Sequence, residues 1–383
     1  MPLDGIRILD LTRLLPGAHC TLLLADMGAD VIRVEDPRGG DYMRWMPPLV
    51  EGQSALFNAL NRNKRSLSLN LKSEAGRSLF LDLVRSSAAV VEGNRPGVMS
   101  RLGLGWEVLC SARPDLVLCS ITGYGQEGPF AARAGHDINY MATAGALSLN
   151  GASGGPPVPL GVQVADIGAG GVGAAAAILG ALLEVSRGGP GRHLDVSMTD
   201  GALSWLAMQL ASLGTEAEIP ERGRQRLTGR YACYRVYTCA GGGHMSVGAL
   251  EPKFWSALCE AVGRPDLVDE QYAEGAAGAR VHRELEALFA TRSRDEWVAL
   301  LDGLDVCCEP VLSLDEVARH LHVAARGLIR WERSGVEVAP PVPQPEGWRR
   351  RDAPGLGEHS AEILAEVGVT PGRLAELRQE GTV

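Results

Sequence analysis

The chain has 383 residues, of which 45% are hydrophobic and 22% are charged. This length predicts two domains, and the composition excludes intrinsic disorder as the main state, because there is enough apolar material for a core. The 37 Lys and Arg residues against 46 Asp and Glu residues give a net charge of −9, which argues against nucleic acid as the main partner.

The cysteines and the N-terminus predict a cytoplasmic protein. No two cysteines form a Cys-x-x-Cys pair and no Cys/His spacing matches a zinc site, so we expect free thiols and no metal. The N-terminus has no basic stretch followed by an apolar run, which predicts no signal peptide. The apolar run at 167–183 is too short and too rich in Gly and Ala to span a bilayer comfortably, so we expect a packed helix and no membrane association.

The first third of the chain alternates predicted strands with predicted helices. Short apolar runs predict strands at 5–11, 29–35, 65–71, 88–93 and 114–123, and helical patterns lie between them at 16–28 and 73–85. Repeated β-α-β units require a parallel sheet that is covered on both faces and binds ligands at the carboxyl ends of its strands. We therefore expect the chemistry in the loops at 36–64, 94–103 and 122–140.

The composition changes in the second half of the chain. The sequence predicts a small-residue helix at 168–187, a strand at 193–200 and a helix at roughly 201–213, followed by a polar linker at 216–230. Residues 231–250 predict a hairpin with Gly241–Gly243 at its turn, and helices follow near 252–262, 282–290, 294–304, 360–367 and 371–378. The stretch from about 225 to 315 therefore predicts a small second domain.

The glycine run GAGGVG at Gly168–Gly173 fits a dinucleotide-binding fingerprint, with Asp195 at a suitable distance beyond it. Its surroundings do not fit, because the apolar stretch before it is short and broken by Asp166, and a run of alanines follows it. We expect the small residues to let a helix pack closely on its neighbour.

Several titratable residues beside small residues are candidates for acid/base chemistry. They are His136 and Asp137 in GHDINY, Asp166 in VADIGAG and Glu251 in GALEPKF. Each alone has a structural explanation, since Asp166 and Glu251 could be helix N-caps and His136 a turn residue. Together they could form a general acid/base set, or one carboxylate could be a nucleophile.

Basic residues cluster in the same predicted loops. Arg62, Lys64 and Arg65 come just before a strand, and neighbouring strand ends carry Arg33, Arg38, Arg44 and Arg95. In a protein of net charge −9 this cluster indicates an anionic ligand, with phosphate as the first choice. A solvated charged loop explains the charges equally well.

Taken together, these segments resemble the family III CoA-transferases of the carnitine and bile-acid type, and among them the 2-methylacyl-CoA racemases. The resemblance covers nearly the whole chain, including LLADMGADVIRVEDP, LNRNKRSLSLNLK, GHDINY, VADIGAG and GALEPKFW. It implies an α/β fold with a Rossmann-like large domain that contains a parallel sheet, and a smaller α+β domain. It also implies an interlocked homodimer whose active site lies between the large domain of one chain and the small domain of the other.

The resemblance implies the domain boundaries as well. The N-terminal part of the large, CoA-binding domain is expected at 1–200 and a linker helix and connection at 201–225. The small domain is expected at 226–315, and a return connection with the C-terminal part of the large domain at 316–383.

The resemblance implies two alternative reactions. In the transferases, the Asp at the position of Asp166 attacks the thioester, whereas in the racemases that Asp and a His act as bases on opposite faces of the α-carbon. GHDINY with Glu251 is the racemase-like pattern, so we expect His136 and Asp166 to racemise a 2-methylacyl-CoA thioester, supported by Glu251 and Asp137. The alternative is a CoA-transferase that forms an aspartyl thioester at Asp166, and the long loop at 39–60 is more typical of that branch.

For CoA binding, the resemblance points to Arg38, Asn61, Lys64, Arg95 and Tyr140. CoA is part of the substrate, so no separate cofactor is expected. A CoA-ester binding protein without turnover is a further alternative, but the presence of the acid/base candidates argues against it.

Overall fold

The computed structural model describes residues 1–215, 219–340 and 342–383, so part of the predicted linker, at 216–218, lies outside the described residues. The chain forms two compact units: the first contains Met1–Leu147, Leu160–Ala207 and Arg326–Val383, and the second contains Ser148–Pro159 and Met208–Ala325. The second unit begins earlier and ends later than the small domain expected at 226–315. It also includes 148–159, because the Arg222 guanidinium donates hydrogen bonds to the carbonyl oxygens of Ser148 and Gly155.

The strands and helices follow the predicted order closely. The strands are β1 (Arg7–Asp10), β2 (Asp30–Glu35), β3 (Leu49–Val50), β4 (Gln53–Ser54), β5 (Arg65–Ser68), β6 (Ala89–Glu92), β7 (Val117–Thr122), β8 (Arg192–Ser197), β9 (Tyr234–Thr238), β10 (His244–Gly248), β11 (Cys308–Pro310), β12 (Ile329–Glu332) and β13 (Gly335–Val338). The α-helices are α1 (Leu14–Asp26), α2 (Ala55–Asn61), α3 (Glu74–Arg85), α4 (Val98–Arg101), α5 (Trp106–Ala112), α6 (Asp137–Thr143), α7 (Ala174–Ser186), α8 (Met198–Ser204), α9 (Ala207–Thr215), α10 (Pro252–Ala261), α11 (Gly275–Phe289), α12 (Arg294–Leu301), α13 (Leu314–Val317), α14 (Leu321–Ala325), α15 (Ser360–Glu366) and α16 (Pro371–Gln379).

The first unit is built on a six-stranded parallel sheet, which confirms the predicted α/β class. The strands lie in the order β5-β2-β1-β6-β7-β8, and every neighbouring pair is parallel. Counted along the chain this is the order 3-2-1-4-5-6 of Rossmann-like sheets. The chain reverses direction of winding between β1 and β6, so the carboxyl ends of these two strands form the edge at which such sheets bind ligands.

Helices cover both faces of this sheet. One apolar core joins Ile8, Val31 and Val91 to α1, α6 and α7, and a second joins the oppositely facing Leu9, Ile32 and Val90 to α3, α5 and α15. Alternate residues of each strand therefore enter opposite cores, as a sheet buried on both faces requires.

The small-residue helix predicted at 168–187 begins as a π-helix, Ala165–Gly173, and continues as α7. A Cβ atom on Gly168 would lie 1.8 Å from the Trp205 ring, and one on Gly171 would lie 2.6 Å from Nδ1 of His19. Because no larger residue fits, the glycines serve close helix packing, as the sequence predicts. The run lies inside a helix rather than in a strand-to-helix turn, which argues against a dinucleotide fingerprint.

The continuous helical stretch from 165 to 186 is long and apolar enough to cross a membrane by length and composition. Core helices of soluble proteins share this property, and in this chain the stretch packs against α1 and α8. The helix predicted at roughly 201–213 is also divided, since α8 and α9 are separated at Trp205 and Leu206.

The second unit has its own three-stranded antiparallel sheet, in the order β11-β10-β9, with α10, α11 and α12 packed against it. The predicted hairpin is confirmed as β9 and β10, with positive φ angles at Gly241 and Gly242 in its turn. The aromatic side chains of Tyr237, Trp255 and Trp297 are almost fully buried in its core. This unit accordingly has the α+β character expected of the small domain.

Candidate active site

A cleft opens in the first unit at the carboxyl ends of β1, β2, β5 and β6, where the winding of the sheet reverses. Its lining residues lie at the ends of these strands and in the segments that follow them; they are Leu11, Thr12, Arg13, Val34, Glu35, Asp36, Gly40, Asp41, Leu69, Asn70, Leu71, Lys72, Asn94, Met99 and Leu102. The strand pattern of the sequence predicts a ligand at this edge of the sheet, but Arg13, Lys72 and Asn94 are not among the predicted site residues.

Arg13 and Lys72 give the cleft its free positive charge. Both side chains are exposed, and in the described part of the chain neither forms an ion pair. The signal for them was available, because each lies in the loop after a predicted strand. Each is an isolated basic residue in its loop, so a cluster of basic residues does not indicate it.

Two of the residues predicted to bind CoA lie beside the cleft. The Arg38 side chain is 69% exposed and pairs with the carboxylate of Asp36, which lines the cleft. Arg95 is exposed and follows the cleft residue Asn94. Both guanidinium groups are therefore accessible to a ligand.

Asn61 and Lys64 are buried instead. The Lys64 ammonium donates hydrogen bonds to Ala18 O, Thr21 Oγ1 and Asn61 Oδ1 at 2.7–2.9 Å, and lies 3.4 Å from the Asp10 carboxylate. Burial lowers the pKa of Lys64 to about 8, against the opposing effect of Asp10. Neither side chain is available to a ligand in this structure, and their hydrogen bonds give them a structural role between α1, α2 and β1.

Most other members of the basic cluster are also paired internally. Arg62 pairs with Asp26 and Arg65 with Asp30. Arg33 pairs with Asp10 and Asp41, and Arg44 with Glu35. Buried charges need such partners because desolvation penalises an unpaired ion. The charge cluster in the sequence thus mainly reflects buried ion pairs, and Arg38 and Arg95 are the exceptions.

His136, Asp137 and Asp166 come together in the first unit. His136 is the N-cap residue of α6, and Asp137 is the first residue of that helix. The Asp137 carboxylate accepts hydrogen bonds from the backbone N–H groups of Ala165 and Asp166, at 2.7 and 3.0 Å. These N–H groups open the π-helix and have no partner within it, so Asp137 caps the π-helix. This cap holds the Asp166 segment against the start of α6.

Asp166 carries an unusual carboxyl group. Burial and, to a smaller extent, the negative charge of Asp137 raise its pKa to about 6, while the nearby His136 opposes both effects. Among the described residues, no group donates a hydrogen bond to the Asp166 side chain. The carboxyl is therefore poised to gain or lose a proton near neutral pH, which is what an acid/base residue needs.

His136 is exposed, and its cap role uses only its backbone. Its N–H donates to Asn139 Oδ1 at 3.0 Å, and its carbonyl accepts the Asn139 N–H at 2.8 Å. His136 therefore lies at a helix N-cap rather than in a turn, and Asp166 is not the N-cap of the helix that contains it. Among the described residues the imidazole makes no capping hydrogen bond, and its charge acts on the Asp166 carboxyl.

Tyr140, predicted to bind CoA, is buried and holds the His136 loop. Its hydroxyl donates to the carbonyl of Gly135, and its ring meets Tyr124 edge to face with centroids 5.2 Å apart. A Cβ on Gly123 would lie 2.3 Å from the Tyr140 ring, so only glycine fits there. Burial raises the pKa of Tyr140 to about 12, so the phenol stays neutral. These contacts give Tyr140 a role in shaping the loop.

Glu251 belongs to the second unit. It occupies the N-cap position of α10 with an exposed side chain that makes no capping hydrogen bond. The structural explanation of a side-chain cap therefore does not hold, and its predicted support of His136 stays a prediction.

The beginning of α1 separates the cleft from the acid/base residues. Thr12 and Arg13 line the cleft just before this helix. Pro16 lies in the first turn of α1 and packs closely against Gly170, since a Cβ atom on Gly170 would lie 2.7 Å from the Pro16 side chain. Gly170 belongs to the same π-helix as Asp166. The first turn of α1 therefore lies between the cleft and the π-helix that carries Asp166, and it contacts both.

The chain is thus an α/β protein with a cleft where the winding of its parallel sheet reverses, and with an ionisable carboxyl, Asp166, near His136. The profile of CoA-transferase family III matches residues 3–360. The chain is 34% identical to the alpha-methylacyl-CoA racemase of Mus musculus over 392 aligned residues, covering 100% of this chain and 98% of the relative. It is also 34% identical to the succinate–glutarate CoA-transferase of Agrobacterium fabrum, covering 96% of each.

A solved structure agrees with these sequence matches. The crystal structure of a CAIB/BAIF family protein from Brucella suis superposes with a TM-score of 0.82 at 31% identity, covering 96% of this chain and 99% of the other. The chain belongs to CoA-transferase family III. It is an enzyme of that family, which acts on acyl-CoA thioesters, and the racemase and transferase relatives are equally similar to it.

Proposed function

We propose that this protein racemises 2-methylacyl-CoA thioesters. The observation that carries the proposal is the Asp166 carboxyl near His136, because a pKa of about 6 suits both proton removal and proton return. Deuterium uptake at the α-carbon in D₂O, without an acceptor acid, tests it.

The reaction needs a base on one face of the α-carbon and an acid on the other. Ionised Asp166 removes the α-proton, and the electron pair of the broken C–H bond moves to the thioester oxygen as an enolate. Protonated His136 then delivers its proton to the opposite face of the carbon. After this step Asp166 is protonated and His136 is neutral, which is the state that converts the other epimer back.

In this mechanism the pair holds one proton in both directions, so the protein needs no separate step to reset it. Asp137 is a positioning residue, because its carboxylate is engaged with the backbone of Ala165 and Asp166. The cleft would hold the anionic portion of CoA, with Arg13 and Lys72 as charge-assisted donors.

Two lysines make a matched pair for testing the cleft. We expect Lys72→Met to raise the Kd for CoA about tenfold without changing the thermal unfolding temperature, because an exposed cation is lost from the cleft. We expect Lys64→Met to lower the free energy of unfolding by about 3–5 kcal/mol, because Asp10 loses a buried partner. The folded Lys64→Met protein should keep the parent affinity for CoA.

Calorimetric titration with CoA and thermal unfolding of both variants check these expectations. Arg85→Met, at an exposed arginine outside the cleft, is the control for loss of a surface cation. A Lys64 variant with parent stability and weakened CoA binding would restore the role predicted for Lys64 and contradict the structural one.

The pH dependence of turnover follows from the environment of Asp166. Because the carboxylate form removes the proton, we expect kcat/KM to rise with pH through about 6. The charge of Asp137 raises the pKa of Asp166, so Asp137→Asn should move this acid limb to lower pH, while its amide oxygen still accepts the backbone hydrogen bonds. Rates measured from pH 4.5 to 8 check the shift, and an acid limb that stays in place or moves upward would contradict it.

A CoA-transferase is the second candidate. Two observations favour it: no group in the described part of the chain donates a hydrogen bond to the Asp166 carboxylate, and transferase relatives are as similar to this chain as the racemases are. In that reaction Asp166 attacks the thioester carbonyl and releases CoA as a thiolate. The thiolate then attacks the aspartyl carbonyl, which releases the acyl group as a carboxylate and leaves an aspartyl-CoA thioester. Transfer of CoA that requires an added carboxylic acid, together with a mass increase on the peptide that contains Asp166, would support this candidate over racemisation.

We also propose that the protein is a homodimer, as the resemblance implies. Sedimentation equilibrium should give twice the mass of one chain. A species with the mass of a single chain at micromolar concentration would contradict the proposal.

A further inference from the structure

Leu14 has a backbone conformation that bulky residues rarely adopt. Its φ is +59°, in the left-handed region, where the side chain is strained. The chain turns here from the cleft residue Arg13 into α1, and Pro16, two residues further, packs against Gly170 of the π-helix. The conformation of Leu14 therefore sets how the cleft wall and the π-helix of Asp166 meet. Strained residues persist where the surrounding structure holds them in place.

Asp41 is the group that holds Leu14. The Asp41 side chain is almost completely buried, and its Oδ2 accepts the Leu14 N–H at 2.9 Å while pairing with the guanidinium of Arg33. Its Oδ1 accepts the Met43 N–H at 3.0 Å. Two further donors thus fix the carboxylate that the strained residue needs as a partner.

The bond to Leu14 is separable from the rest of the buried ion pairs. Arg33 also pairs with Asp10 and lies 3.7 Å from Glu35, so it keeps acidic partners without Asp41. The contact with Leu14, in contrast, joins the long loop at 39–60 to the first residue of α1. It is a contact by which this loop can influence the catalytic residues without touching the substrate.

We propose that Asp41 is a positioning residue that stabilises the left-handed conformation of Leu14 and thereby fixes Arg13 on the cleft wall and α1 against the π-helix of Asp166. The proposal rests on the proposed function for its kinetic consequence. Its structural consequence, the placement of Arg13, is independent of turnover and is measured by binding of CoA.

A rescue experiment separates positioning from simple stability. We expect Asp41→Ala to lower kcat/KM for epimerisation about tenfold or more, since small displacements of catalytic groups have large kinetic effects. Glycine adopts positive φ without strain, so adding Leu14→Gly should restore most of kcat/KM and of the affinity for CoA. The thermal unfolding temperature of the double variant should stay below that of the parent, because the buried Arg33 has still lost Asp41 as one of its acidic partners.

Leu14→Val, with Asp41 intact, gives a second test that holds even where Asp41→Ala does not fold. A β-branched residue is less compatible with positive φ than leucine, so we expect lower kcat/KM, weaker CoA binding and faster amide hydrogen exchange at residues 13–17. Parent-like kinetics and CoA binding in Leu14→Val, or in Asp41→Ala, would overturn the proposal. The proposal would also be overturned if the double variant had no higher kcat/KM and no higher affinity for CoA than Asp41→Ala alone.

The measurements also distinguish the failure of the two proposals. If the parent protein epimerises no acyl-CoA, the proposed function is wrong, and titration with CoA across the same variants still decides the role of Asp41. If the parent epimerises its substrate but the variants show neither the expected losses of kcat/KM and CoA affinity nor the expected recovery in the double variant, only the role of Asp41 is wrong.

Discussion

Replacing Asp166 by asparagine is expected to reduce the interconversion of 2-methylacyl-CoA epimers by about 10²–10⁴-fold, the usual contribution of a positioned acid/base group. Asparagine has nearly the same size and can neither accept nor release the proton. The π-helix should be unchanged, because its cap is provided by the Asp137 side chain and only the backbone of Asp166 takes part.

The residual chemistry of this variant is as informative as its loss of activity. If Asp166 serves one face of the α-carbon, deuterium exchange should be lost for one epimer and partly retained for the other, which His136 deprotonates. CoA affinity should match the parent, and Asp115→Asn, at a half-exposed aspartate paired with Arg113, is the control. Interconversion at the parent rate in Asp166→Asn would remove Asp166 from the mechanism.

Replacing His136 by glutamine is expected to reduce the interconversion of 2-methylacyl-CoA epimers to a similar extent, by about 10²–10⁴-fold. The cap of α6 should survive, since His136 contributes only backbone groups to it. His136 also lowers the pKa of Asp166, so its loss should raise that pKa and move the acid limb of the remaining exchange to higher pH.

The epimer that still exchanges its α-proton for deuterium in the His136 variant should be the one that no longer exchanges it in the Asp166 variant, and the reverse. Measuring initial deuterium uptake from each pure epimer, by mass spectrometry, provides this comparison. His322→Gln, at an exposed histidine of α14, is the control. The same epimer preference in both variants would contradict bases on opposite faces of the carbon.

Local sequence patterns predict most of the fold because the signals that form each element are local. The apolar run at 5–11 becomes β1, and Ser73, before a helical pattern, caps α3 by accepting the Gly76 N–H. The parallel sheet follows from the alternation of strands and helices. Boundaries are less predictable: the single helix predicted at roughly 201–213 is divided into α8 and α9.

The candidate site was predictable only in part. The resemblance pointed to His136, Asp137 and Asp166, but the cap that joins Asp137 to Ala165 and Asp166 spans 28 and 29 residues of sequence and leaves no local signal. The roles of the basic residues could not be read from charge alone. Lys64 is buried against an aspartate 54 positions away, a pairing that no local pattern specifies.

The most direct test of racemisation is α-deuterium uptake in D₂O from one pure epimer of a 2-methylacyl-CoA, with no acceptor acid present. We expect uptake together with conversion to the other epimer, and loss of that conversion in both Asp166→Asn and His136→Gln. Absence of uptake in the parent, with transfer of CoA once a carboxylic acid is added, would contradict racemisation and identify Asp166 as a nucleophile.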